Sequence, residues 1–155
     1  MTEQQTVTAY LTVKDALGAI DFCTRVFGAV VTTEPLMMSD GTVGHAALKV
    51  GNTQIMLADE FPQMGFVSPE ALGGTPVAFI VRVEDCDAAY DMAMREGAMS
   101  LSPPENQFWG DRMARIMCPY GYRWNLAAKV EDVSDAEMRD RLVAMQAYTP
   151  ASEDS

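Results

Sequence analysis

His45 is the only histidine in the sequence, and therefore the only side chain whose ordinary pKa lies near neutrality. A general base of the usual kind has this one position to occupy. A lone histidine also rules out two- and three-histidine metal sites and tandem His/Cys zinc motifs. Cys23, Cys86 and Cys118 are odd in number and widely spaced, a pattern of reduced thiols in a cytoplasm rather than of a disulfide framework. None has an activating partner near it in sequence, and Cys23 falls on the apolar side of a helix. Phe108-Trp109, in a loop that follows Pro103-Pro104, can serve as a stacking platform or as a packing plug. Arg115 reads as the partner of a carboxylate such as Asp111 or Glu105. Of twelve methionines, Met92, Met138 and Met145 fall at helical core or interface spacings, and only Met113 and Met117 bear on a ligand.

The elements that must hold these residues follow from the pattern. Thr6 to Val13 alternates and is β-branched, so it reads as a strand. Asp15 caps a helix through Val26, with Leu17, Ile20, Phe22, Cys23 and Val26 as its apolar positions, and Gly28 ends it. Ala29–Glu34, Val43–Val50 and Thr53–Ala58 read as strands, the last two joined by a Gly51-Asn52 hairpin. Residues 60–75 form a Pro- and Gly-containing connector without period. The order then repeats: a strand over Val77–Val83, a helix from Asp85 to Glu96, and strands over Met99–Ser102, Arg112–Cys118 and Arg123–Lys129. Ser134 with Glu137 three residues on is a capping box that opens a helix to about Ala147, followed by an acidic tail.

The repetition holds residue by residue. Shifted by 70 positions, Val13, Asp15, Ala19, Asp21 and Arg25 meet Val83, Asp85, Ala89, Asp91 and Arg95. One residue then drops out, so that Gly28-Ala29 meet Gly97-Ala98, and Gly51 meets Gly121. This is an internal duplication. The expectation is an α+β chain of tandem βαβββ modules, 1–59 and 76–130, with a 60–75 connector and a 131–155 helix and tail.

Two such modules resemble the vicinal oxygen chelate superfamily, the glyoxalase/bleomycin-resistance/extradiol-dioxygenase group. Leu11-Thr-Val-Lys-Asp15, Val26-Phe27-Gly28-Ala29, Val81-Arg-Val-Glu-Asp85, Gln107-Phe-Trp-Gly-Asp-Arg112 and Cys118-Pro-Tyr-Gly-Tyr-Arg-Trp-Asn125 carry the likeness. The last two are similar to a small bacterial glyoxalase-like subgroup. The resemblance implies four metal-ligand positions, which fall on Thr8, within Thr53–Leu57, on Ala78 and on Asn125. Thr, Ala and Asn are poor or absent ligands, and 53–57 holds no carboxylate, so no metal and no cofactor is expected. The fold implies a ligand cleft on the helix-free face of the sheets. Period-two alternation fills it with Thr8, Tyr10, His45, Ile55, Ala78, Ile80, Met113, Arg115 and Asn125, and Phe108 and Trp109 stand at its rim. Leu11, Val13, Ala46, Leu48 and Val50, and the row Val77, Phe79, Val81 and Val83, go to the helices.

Composition narrows the partners. The chain of 155 residues has 22 acidic and 11 basic residues, a formal net charge of −11, which repels nucleic acid. Residues 131–155 hold seven of the acidic and two of the basic groups, so much of that charge belongs to the tail. No apolar run is long enough to span a bilayer, and the N-terminus lacks a secretory signal. The expected protein is cytoplasmic and homodimeric. It binds a small amphipathic or cationic molecule in a metal-free cleft, with antibiotic sequestration as one use. The alternative is a lyase, isomerase or dioxygenase-type enzyme with a non-standard site, in which His45 is the one candidate base.

Overall fold

The computed structural model describes residues 4–147. The first module runs β1 (Tyr10–Val13), α1 (Ala16–Phe27), β2 (Val30–Met37), β3 (Val43–Val50) and β4 (Thr53–Asp59). The second runs β5 (Ala78–Arg82), α3 (Cys86–Arg95), β6 (Met99–Asn106), β7 (Asp111–Met117) and β8 (Arg123–Lys129). Between them the connector is not without structure. It holds a 3-10 turn (Pro62–Met64) and a single helical turn, α2 (Pro69–Leu72), capped by the Ser68 hydroxyl. A last helix, α4 (Asp135–Ala147), follows, and the acidic tail beyond it lies outside the described residues.

Each module is a four-stranded mixed sheet, ordered β1-β4-β3-β2 and β5-β8-β7-β6, so the chain is α+β. In each, the first and fourth strands are parallel and the two hairpins antiparallel. The helices are set by local signals. Asp15 accepts from the Gly18 N–H at 3.0 Å and Asp85 from the Ala88 N–H at 3.0 Å, each satisfying a donor of the first turn. One continuous core joins both sheets through α1 and α3. Its anchors, Leu48, Leu57, Ile116 and Leu126, are fully buried and worth roughly 1.5–3 kcal/mol each. At the ends of the apolar rows two expected core residues, Leu17 and Val77, are about half exposed.

The duplication is more exact in space than in sequence, because its offset changes three times. Leu11 and Val81 correspond at 70, but β2 and β6 correspond at 69, β3 and β7 at 68, and β4 and β8 at 69. The last change comes from the hairpin turns. Val50 pairs with Thr53 across a two-residue turn, whereas Cys118 N–H bonds the Tyr122 carbonyl across three residues. Gly121 sits in that longer turn with φ +89°, and a Cβ there would come 2.9 Å from Pro69. A one-residue slip moves a strand's side chains to the opposite face, which matters for the site below.

The strands predicted to stop at Glu34 and Ser102 run on through proline. Between Thr33 and Leu36, and between Ser102 and Glu105, three residues of the outer strand span two of its neighbour, a bulge built around Pro35 and its counterpart Pro104. Both strands are free on their outer side, where a missing N–H costs the ladder nothing. At the junction of the modules the Tyr122 hydroxyl donates to the Thr12 carbonyl and accepts its N–H, both at 3.1 Å, closing the unpaired edge of β1. α4 starts at Ser134, whose hydroxyl accepts the Glu137 N–H at 3.1 Å. The Glu137 carboxylate turns to Arg141 instead of completing the box. No residue of α4 is buried, so Met138, Leu142 and Met145 do not cover this chain's own sheets.

Candidate functional site

The face of each sheet turned away from its helix is open. On the first sheet the register puts Tyr10 beside Met56 and Thr12 beside Ala58, and the connector rises over this end of the face. Phe61 and Phe66 pair backbone to backbone (Phe61 N–H to Phe66 carbonyl, 2.8 Å) and present two rings. Together with Tyr10, Met38 and the carboxylates Asp40, Asp59 and Glu60 they enclose a cavity of about 620 Å³. Each carboxylate is held by donors. Asp59 accepts the N–H groups of Ala16 and Val43, both at 2.7 Å. The Thr42 hydroxyl, and then its N–H, keep Asp40 below the usual carboxylate range. The Ser68 hydroxyl does the same for Glu60. The result is an aromatic pocket with anionic walls, suited to a cation with an apolar body.

Next along the same face, the Tyr10 hydroxyl lies 3.0 Å from His45 Nδ1, with the rings stacked at 5.6 Å. Burial raises the Tyr10 pKa, so the phenol keeps its proton, and which partner donates follows the imidazole tautomer. The bond occupies Nδ1 and leaves Nε2 as the ring nitrogen that can meet a ligand.

On the second sheet Ile80, Asn125 and Arg115 lie in one cross-strand row, with Ala78, Met113 and Met117 on the same open face. Arg115 takes neither expected partner, because Asp111 is bonded to Arg82 at 2.8 Å and to Trp109 Nε1 at 2.8 Å. Trp109 therefore stands over the far end of this sheet, in a hollow with Arg82, Lys129 and Glu137, and not over Met113. Phe108 stacks edge-on against it at 5.1 Å, and the Phe108 carbonyl accepts from Arg141 of α4. Thr8 precedes β1, half-buried, near the Gln5 side chain. Ile55 is not in the cleft. It pairs with Leu48 and is buried in the core at 6% exposure, because the two-residue turn sets it on the helix side. The one-residue difference between the turns makes Met56, and not Ile55, the residue opposite Asn125 in the duplication. Phe61, Phe66, Asp40 and Glu60 were missed because the connector has no period. The signal there was the Phe-Pro…Gly-Phe frame of 61–66.

The family model for the Glyoxalase/Bleomycin resistance protein/Dioxygenase superfamily matches residues 5–126. The chain belongs to that superfamily. An uncharacterized protein of Mycobacterium tuberculosis is 38% identical over 133 residues, covering 84% of this chain and 78% of that one. Among solved structures, an Arabidopsis thaliana gene product is similar at a TM-score of 0.63 with 20% identity, covering 81% of this chain and 99% of that one. A bleomycin-binding protein complexed with bleomycin is similar at 0.53, also 20% identical, covering 81% and 99%. These two likenesses concern the fold.

The superfamily resemblance implies metal at four positions, and the residues there do not fit one. They are Thr8, Met56, Ala78 and Asn125, with no imidazole and no carboxylate among them. A hydroxyl, a thioether and an amide supply no charge against a divalent ion. Among the described residues no three His, Cys, Asp or Glu side chains converge elsewhere to hold one. All three cysteines are buried. No helix of the described residues is long and apolar enough to cross a membrane.

Proposed function

We propose that this superfamily member binds a small amphipathic cation in the cavity of the first sheet, without a metal and without transforming it. The observation that carries the reading is the pairing of Phe61, Phe66 and Tyr10 with three carboxylates fixed by hydrogen bonds in one 620 Å³ cavity. A bleomycin-like antibiotic belongs to this class of molecule, and sequestering it is a function that needs no chemistry. The likeness in fold to a bleomycin-binding protein supports that assignment. An enzyme built on His45 would need a base without other partners, and Nδ1 is engaged with Tyr10. A second copy of the chain is the partner we assign, since Tyr10, Ile80 and Met99 leave both open faces partly bare in one copy. Buried thiols are in keeping with a reducing cytoplasm.

Titration calorimetry with bleomycin and with simple aromatic cations tests the reading. Binding is expected to be unaffected by chelator, and Phe61→Ala is expected to weaken it roughly tenfold. Equal affinity in Phe61→Ala, or binding that requires an added metal, overturns it.

A further inference from the structure

We infer a second binding site, for an oxyanion, on the open face of β7 and β8, centred on Arg115. Arg115 is half-buried in the middle of the sheet, flanked on its row by Asn125 and then Ile80. Arg123 projects from the same face, on the diagonal from Arg115, since Met117 is its direct partner and Asn125 the partner of Arg115. Like charges on neighbouring strands repel, and an anion between the two guanidinium groups would relieve that repulsion. Among the described residues neither guanidinium forms an ion pair; Lys49, Arg95 and Arg139 form none either, but these three are exposed whereas Arg115 is half-buried.

The acidic residues within reach of this face are otherwise placed. Asp111, at the far end of the strand, is committed to Arg82 and Trp109. Glu105, opposite Met113 on the outer strand, pairs with neither arginine. In a chain with 22 acidic residues, a half-buried arginine left without one on a partly apolar face, with a second beside it, marks a place for an anion from outside. Two guanidinium groups present forked donors to a carboxylate or phosphonate, the Asn125 amide adds a third, and Ile80 and Met117 supply apolar contact. The ligand is thus a small molecule with an oxyanion head on an apolar body. This site is separate from the cationic cavity of the first sheet and opposite to it in charge.

Phenylacetate and benzylphosphonate are the probes, with neutral phenylacetamide as control, titrated into the whole chain and followed by calorimetry. Saturable binding of either anion, none of the amide, and a loss of roughly tenfold in Arg115→Gln with part retained in Arg115→Lys are expected. The exposed Arg123→Gln variant, less able to disturb packing, should lose several-fold. The tighter of the two anions names the head group. Phe61→Ala should bind both probes normally, which keeps failure here distinct from failure at the first cavity. Unchanged affinity in both arginine variants overturns the proposal, as does equal binding of the amide. It is also overturned if the wild type binds neither anion while Arg115→Gln falls from dimer to monomer in sedimentation, because carboxylates of a second copy then hold these arginines.

Discussion

Asp59 shares one carboxylate between two structural joints. One oxygen takes the N–H of Ala16, which opens α1, and the other takes the N–H of Val43, which opens β3. In Asp59→Ala both donors lose their partner in a part-buried place, so about 2–3 kcal/mol of stability should go, read as a lower urea midpoint at unchanged slope. A loss under 0.5 kcal/mol would show that water replaces the carboxylate without cost. The same residue shows what single positions concealed in the sequence. Asp59 stands at a strand end, where a carboxylate has no periodic role, and its partners lie 43 and 16 residues away. Tyr10 and His45 were legible as neighbours on one face because alternation alone puts them there. That they bond through Nδ1 depends on a distance that no pattern encodes.

At the scale of elements, local signals were readable and the edges were not. Asp15, Asp85 and Ser134 act within three residues of themselves, so the helix starts could be placed from sequence. Pro35 and Pro104 were misread as strand ends, because proline breaks a ladder only where its N–H is needed, and an outer strand has one side that needs none. The cleft list failed at Ile55 for a related reason, the one-residue difference between the two hairpin turns. The prolines also protect the outer strands from pairing with other chains. Replacing Pro35 and Pro104 together by Val should leave the fold intact and restore two outward donors. Light scattering at elevated temperature should then show aggregation several-fold faster than wild type. An unchanged rate would place the protection in the bulge itself and not in the missing donors.

For the molecule as a whole, burial of ionisable groups sets a limit on the alkaline side. Burial, with Cys118 nearby, pushes the Cys23 thiol up to about 12, and burial also raises Cys86, Cys118, Tyr120 and Tyr122. These groups hold their protons longer folded than unfolded. Their contribution is therefore complete below about pH 8.5, where an unfolded thiol starts to ionise, and is lost as pH rises from there to about 12. Urea midpoints should be level from neutrality to that point and then fall, less steeply in Cys23→Ala. A midpoint that stays level to pH 11 contradicts this account. The two-sheet architecture was visible in sequence because the duplication repeats its own order. How the sheets join was less visible, since beside the core shared through α1 and α3 the edge of β1 is tied by a single hydroxyl, Tyr122 on Thr12, across 110 residues. That joint bears on the time course of folding. A contact with so long a loop carries a large closure entropy, so it forms late, after each sheet has assembled on its own. Removing the hydroxyl in Tyr122→Phe would then act mainly on how fast the native protein comes apart, and hardly on how fast it forms.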